Sequence, residues 1–145
     1  NLDSVSSFYR TFYENQTDAG NNYRVSFLGS SGDFYFYIYT SSGTAAASKG
    51  SAIATGAWTH IAGTYDGANI RLYINGEQTG STPLTGTVES STGSSGGIAI
   101  GARRSGSSLD QHVNGKVATT SVWSSGLTAK EIKDIYIAQK GRFGK

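Results

Sequence analysis

WTHIAGTYDGANIRLYINGEQTG, residues 58–80, decides the fold of this chain. Trp58–Tyr65 is rich in aromatic and β-branched residues and reads as a strand. Asp66-Gly67-Ala68 breaks it, and Asp-Gly tolerates positive φ, so the chain is expected to return as a hairpin along Ile70–Asn75. On that return Ile70, Leu72 and Ile74 face one way while Arg71 and Tyr73 face the other. Asn75-Gly76 is a second hairpin signal and leads into Glu77–Ser81. The special residues all have structural roles. Trp58 is a large apolar plug, Gly63 admits a close neighbour or a bulge, and the Asp66 side chain can cap its own turn.

The same period of two continues upstream. Ser7–Tyr13 (SFYRTFY) and Tyr23–Leu28 (YRVSFL) read as strands, with Tyr23, Val25 and Phe27 sharing a face. Asn15–Asn22 and Gly29–Asp33 read as turns by composition. Phe34–Thr40 (FYFYIYT) is the clearest strand of all: Phe34, Phe36 and Ile38 line one side and Tyr35, Tyr37 and Tyr39 the other. Ser41–Gly56 is small and polar, with a short strand expected at Ala52–Ala54.

Downstream, Ser90–Gly97 reads as a loop, Ile98–Gly101 as a short apolar strand and Ala102–Gln111 as loop again. Lys116–Trp123 (KVATTSVW) is expected as a strand after an Asn114-Gly115 turn. Only the C-terminal part looks helical. Thr128 and Glu131 fit a capping box, with Leu127 and Ile132 at the staple positions. Ile132, Ile135 and Tyr136 then form one short amphipathic turn-and-a-half that docks on a sheet, ended by Gly141.

Composition sets the outer limits. A chain of 145 residues fits a single domain over residues 1–145, since at this length about 70% of the unfolded surface is buried on folding. With 20 Gly and only 15% charged residues, the pattern is that of many short strands joined by tight turns. The absence of Cys excludes disulfides, thiolate metal sites and cysteine nucleophiles. A net charge of +2 gives no field for nucleic acid, and the Lys140, Arg142 and Lys145 cluster reads as a solvated tail. No apolar run approaches the roughly 20 residues of a membrane span, so no membrane insertion is expected. A chain that begins at Asn1 and contains no Met is expected to be a processed product or an excised piece.

Residues 58–80 resemble the central hairpin of laminin-G-like jelly rolls, within the concanavalin-A-like superfamily. Ile98–Gly101 and Val113–Tyr136 (VNGKVATTSVWSSGLTAKEIKDIY) resemble that family's closing strand and short helix. The resemblance implies an all-β fold: an antiparallel jelly-roll sandwich with one short C-terminal helix. It also implies one or two further N-terminal strands, which are missing or unrecognisable in this sequence, so an open sheet edge and a covering partner chain are expected. Where the family's closing strand often carries charge, this chain has Ala118, Thr119, Thr120 and Ser121. The ending Ile135–Gly144 (IYIAQKGRFG) resembles that of such domains in bacteriophage structural proteins.

The chemistry points away from catalysis. Glycoside hydrolysis needs two carboxylates across the scissile bond, and the glucanases of the superfamily carry theirs as alternating acids on one strand. No E-x-D-x-E string occurs, and the one close acid pair, Glu131 and Asp134, falls on the helix. His60 reads as a structural strand histidine and His112 as an exposed one. Asp18, with Asn15, Asn21 and Asn22, is the sole acid-plus-amide loop; one carboxylate makes a poor calcium site, and turn chemistry accounts for it. Asn15-Gln16-Thr17 matches a glycosylation sequon, a pattern too short to decide anything. No cofactor is expected.

The candidate binding residues are Tyr35, Tyr37 and Tyr39, extended by Arg71 and Tyr73 if their strands share a sheet. Aromatic rings with hydroxyls suit sugar stacking or a protein interface, though β-propensity alone also favours Tyr on a half-buried pleat. The leading expectation is a non-catalytic virion-surface module, a phage capsid decoration or tail-fibre protein. It would contact a protein partner or copies of itself and bind a glycan or host surface. The alternative is a secreted or cell-surface carbohydrate-binding adhesion module. A glycoside hydrolase is the least supported reading.

Overall fold

A computed structural model describes residues 9–17, 20–28, 33–49, 54–88, 97–105 and 108–144. The described strands are β1 (Tyr9–Thr17), β2 (Gly20–Leu28), β3 (Asp33–Thr40), β4 (Gly43–Lys49), β5 (Ile61–Tyr65), β6 (Asn69–Ile74), β7 (Glu77–Pro83), β8 (Gly97–Ile100), β9 (Arg103–Ser105) and β10 (Ser108–Asp110), and the helix α1 is Ala129–Lys140. They form an antiparallel five-stranded sheet in the order β4-β3-β2-β1-β8, a three-stranded sheet β5-β6-β7 and the small ribbon β9-β10. The chain is an all-β sandwich with a C-terminal helix, as its alternating pattern requires.

The core lies between the two larger sheets. Phe34, Phe36 and Ile38 of β3 and Ala47 of β4 pack with Ile70, Leu72 and Ile74 of β6. Burial along β3 alternates without a break, the tyrosines being half-buried and the residues between them buried. A bulge in β1 falls at Phe12, between the pairs Thr11–Ser26 and Tyr13–Val25. It lets Phe12 join Tyr13 toward the core, and Phe12 meets Phe34 with ring centroids 5.4 Å apart. The two sheets approach closely at Gly63, where a Cβ would come within 2.2 Å of the Phe36 ring. Gly63 thus has the role its position suggests, close approach of a neighbour. From β7 the chain runs back to the β3–β4 turn: Ser41 N–H donates to the Thr87 carbonyl at 3.0 Å, and the Tyr65 hydroxyl donates to the Gly86 carbonyl at 2.6 Å.

Both turns of the central hairpin form as their sequence dictates. Asn75 and Gly76 have φ of 51° and 79°, the left-handed pair that a two-residue hairpin demands. At Asp66, Oδ1 accepts from the Ala68 and Asn69 amides at 3.0 and 2.7 Å, while Oδ2 pairs with Arg71 Nη1 at 2.6 Å. The Arg71 guanidinium, with the two amides behind it, holds the Asp66 carboxyl down at about 2, from an ordinary 3.8. A depressed carboxyl stabilises the fold fully above its unfolded value and ceases to as pH falls through its folded one. Urea denaturation of the wild type and of Asp66→Asn should therefore differ most above pH 4, with the gap closing between pH 4 and 2.

The helix begins with the expected capping box. The Glu131 amide donates to Thr128 Oγ1 at 3.3 Å and the Thr128 amide to Glu131 Oε2 at 2.7 Å. The Thr128 amide and then the Thr128 hydroxyl, which also donates to Oε2 at 2.7 Å, pull the Glu131 carboxyl below its usual value. Ile132 is buried, and Tyr136 closes over the Asn75-Gly76 turn, where a Gly76 Cβ would come within 2.9 Å of its ring. Lys133 pairs with Glu77 beside it.

Several expectations are corrected. The Asn15–Asn22 turn is narrower, because Asn15, Gln16 and Thr17 pair with Tyr23, Asn21 and Gly20; ladder pairing outweighs their turn preference. Ser41–Gly56 contains β4, where Ala45 and Ala47 meet the core despite alanine's poor strand propensity; of the strand expected at Ala52–Ala54, residues 52 and 53 lie outside the described residues and Ala54 is outside the described strands. The expected strand Trp58–Tyr65 begins only at Ile61, and the loop 102–111 contains β9 and β10.

The helix has 12 residues, not a turn and a half. Gly141 stays right-handed and opens a 3-10 turn, and the left-handed glycine is Gly144 at φ 70°. Lys116–Trp123 is irregular: with period two Val117 and Trp123 would face one way and Val122 the other, so neither face is apolar enough to hold a register. The segment instead lines a cavity of about 680 Å³ along β5, together with Phe36, Trp58, Ile135 and Phe143.

Candidate functional site

The tyrosine row is built by β3 alone. Because Phe34, Phe36 and Ile38 are buried against the second sheet, period two sends Tyr35, Tyr37 and Tyr39 to the outer face of the five-stranded sheet, and all three are half-buried. The Tyr35 and Tyr37 rings stack, centroids 5.6 Å apart at 23°. At about 3.4 Å per residue the row from Tyr35 to Tyr39 spans about 14 Å. It sits next to the edge strand β4, where the register sets Ser48, Ala46 and Thr44 beside Tyr35, Tyr37 and Tyr39. On the other flank Tyr35 pairs with Ser26 and Tyr37 with Arg24.

One further residue belongs to the row. Asp33 starts β3 with the same parity as the tyrosines, and its Oδ2 lies 3.5 Å from the Tyr35 hydroxyl, long for a hydrogen bond. Its Oδ1 is buried without a hydrogen-bond partner. The spacing 33, 35, 37, 39 was the signal for it, obscured because Asp33 also reads as the end of a turn.

The other candidates lie elsewhere. Arg71 and Tyr73 are on β6, in the other sheet, so the condition for extending the row is not met. Arg71 is engaged by Asp66, and Tyr73 is 2% exposed. Tyr73 faces away from Leu72, yet it is buried there, so the outer side of the small sheet has its own cover. His60 lies on that side beneath Tyr136, ring centroids 5.8 Å apart. Its amide donates to Asn75 Oδ1 at 3.1 Å, burial lowers its pKa, and its Nδ1 is buried with no hydrogen-bond partner. Its position against the helix fits a structural histidine. His112 is exposed.

Of the acid pair on α1, Glu131 closes the capping box and Asp134 pairs with Lys130 at 2.7 Å. Asp18 is outside the described residues; among those described, no three His, Cys, Asp or Glu side chains gather in a metal-binding group. No described helix is long and apolar enough to cross a membrane.

Residues 1–133 match the family model Laminin_G_3, described as the concanavalin A-like lectin/glucanases superfamily. The ending Ile135–Gly144 falls wholly beyond that span. Among solved structures the chain is similar to the crystal structure at 2.1 Å of an S-layer domain-containing protein (residues 221–444) from Clostridium thermocellum ATCC 27405, with 25% identity and a TM-score of 0.48. That likeness covers 94% of this chain and 65% of the other, so the chain spans less than two thirds of that structure's length. No curated protein matches.

Proposed function

The chain belongs to the laminin-G-like family of the concanavalin A-like lectin/glucanase superfamily, and from that membership we propose a non-catalytic binding module displayed on an exposed surface, with a glycan as its ligand. The observation that carries this reading is the outward row Tyr35, Tyr37 and Tyr39, with two of its rings already stacked. Stacked rings offer flat apolar faces to sugar rings, and the tyrosine hydroxyls can reach sugar oxygens. The non-catalytic part is supported by the lack of an alternating-acid strand in the sequence and by the engagement of Glu131 and Asp134 within the helix. No cofactor enters this reading.

A glycan array probed with the whole chain tests it. Binding above background is expected, and Tyr37→Ala should weaken it about tenfold or more, the loss of one central aromatic contact. An array without signal, or binding that Tyr37→Ala leaves unchanged, would overturn the reading. The particular surface proposed is that of a virion, as a capsid decoration or tail-fibre protein; this rests on the ending Ile135–Gly144 and on the sheet edges that no described strand covers. A secreted or cell-surface adhesion module uses the same tyrosine face without needing copies of itself.

A further inference from the structure

We propose that the chain forms a two-fold dimer in which β8 pairs antiparallel with β8 of a second copy, about an axis at Ala99. The inference starts from the direction of backbone groups. The Gly101 amide donates to the Phe12 carbonyl at 3.0 Å. This makes Tyr13–Ile100 a non-hydrogen-bonded pair of the β1–β8 ladder and Glu14–Ala99 a hydrogen-bonded one. Ala99 therefore turns its N–H and C=O toward β1, while Ile98 and Ile100 turn theirs outward. β8 is the end strand of its sheet among the described residues.

The side chains agree. Ile100 lies in register with Tyr13, Val25 and Phe36, and Ile98 with Asn15, Tyr23 and Ile38. Both isoleucines thus belong to the inner, core-facing side of the sheet, yet they are 55% and 61% exposed. Two β-branched apolar side chains at an edge that no described strand covers are what proteins ordinarily guard against with charge, proline or a bulge. Gly97–Ile100 has none of these.

The occupant follows from the symmetry of the strand itself. With the axis at Ala99, Ile98 faces Ile100 of the second copy and Ile100 faces its Ile98. Both are hydrogen-bonded pairs, giving four backbone hydrogen bonds and two isoleucine cross-strand contacts. Ala99 faces its own copy across a non-hydrogen-bonded pair, where Cα atoms lie about 4.5 Å apart and a small side chain is needed. A charge on the axis would meet itself, and residues 97–102 (GIAIGA) carry none; the Arg104 guanidinium lies beside Gly97, at the end of the strand and off the axis. The shared edge is short, so the dimer is expected at the weak end of specific interfaces. The pairing does not depend on the tyrosine row.

Cross-linking tests it cleanly, because the chain contains no Cys. Ala99→Cys should give a disulfide-linked dimer under mild oxidation, well beyond a Thr119→Cys control at an exposed site. Sedimentation of the wild type should show a concentration-dependent dimer that Ile98→Asp and Ile100→Asp abolish; because both positions are exposed, the circular dichroism should not change. A chain that stays monomeric up to about 1 mM, cross-linking no better than the control, or a dimer dissolved by Tyr37→Ala but not by Ile98→Asp would overturn the proposal. Glycan binding would survive those outcomes, and loss of glycan binding would leave the dimer intact.

Discussion

Gly63→Ala is expected to destabilise the fold by about 3 kcal/mol, at the upper end of what overpacking costs, because the added methyl would come within 2.2 Å of the Phe36 ring. Neither side can yield easily. Gly63 is in the middle of β5, paired with Leu72, and Phe36 is 7% exposed in the centre of β3. The cost should show as a large drop in the urea midpoint. Shrinking the obstacle should recover it in part: Gly63→Ala with Phe36→Val should cost less than the sum of the two single changes, the non-additivity of residues in contact. A loss for Gly63→Ala within about 0.5 kcal/mol, the range of an ordinary surface change, would mean that the sheets do not meet at this point.

Neighbouring positions on β3 should give opposite results. Phe34→Ala removes a side chain that is 2% exposed and packed at a tilt against Phe12, and such truncations cost about 3–5 kcal/mol. Tyr35→Ala, one residue on, removes a half-buried ring from the outer face and should cost less than about 1 kcal/mol. The contrast, measured by denaturant titration of the two variants, tests which face of the strand is core. Equal losses would contradict that assignment, and with it the tyrosine row as a contact surface.

The readable parts of this fold are those in which local chemistry and burial agree. FYFYIYT alternates without exception, and β3 is buried in the same alternation. Asp66-Gly67 and Asn75-Gly76 demand particular backbone angles, and both turns form. Thr128 and Glu131 satisfy each other within one turn of helix, so their meaning needs no distant partner. Unreadable parts depend on distant partners. GTAAASK has almost no strand propensity and becomes β4 because β3 pairs along it. KVATTSVW has the right residue types, but lacks a face that burial could fix.

In the candidate site, the sequence shows that Tyr35, Tyr37 and Tyr39 share a side. It cannot show that Arg71 and Tyr73 belong to another sheet, since sheet membership is settled by pairings far apart in the chain. The exposure of Ile98 and Ile100 was hidden for the same reason: IAIG reads as a short apolar strand, and only the order of the described strands leaves it at an edge.

The place of β8 at the end of the first sheet also bears on the order of assembly. β1 through β4 form a meander of successive hairpins, and so do β5 through β7; each can form through contacts between near neighbours in sequence. β8 must find β1, joining Tyr13 to Ile100, and so closes by far the longest loop in that sheet. Because the entropy of loop closure precedes the reward of the contact, this pairing is expected to form late in folding and to open first on unfolding. In native-state hydrogen exchange the amides of Ala99 and Gly101, which point into the sheet, should then exchange sooner than those of β3. The edge that offers itself to a second copy would also be the last part of the sheet to take shape.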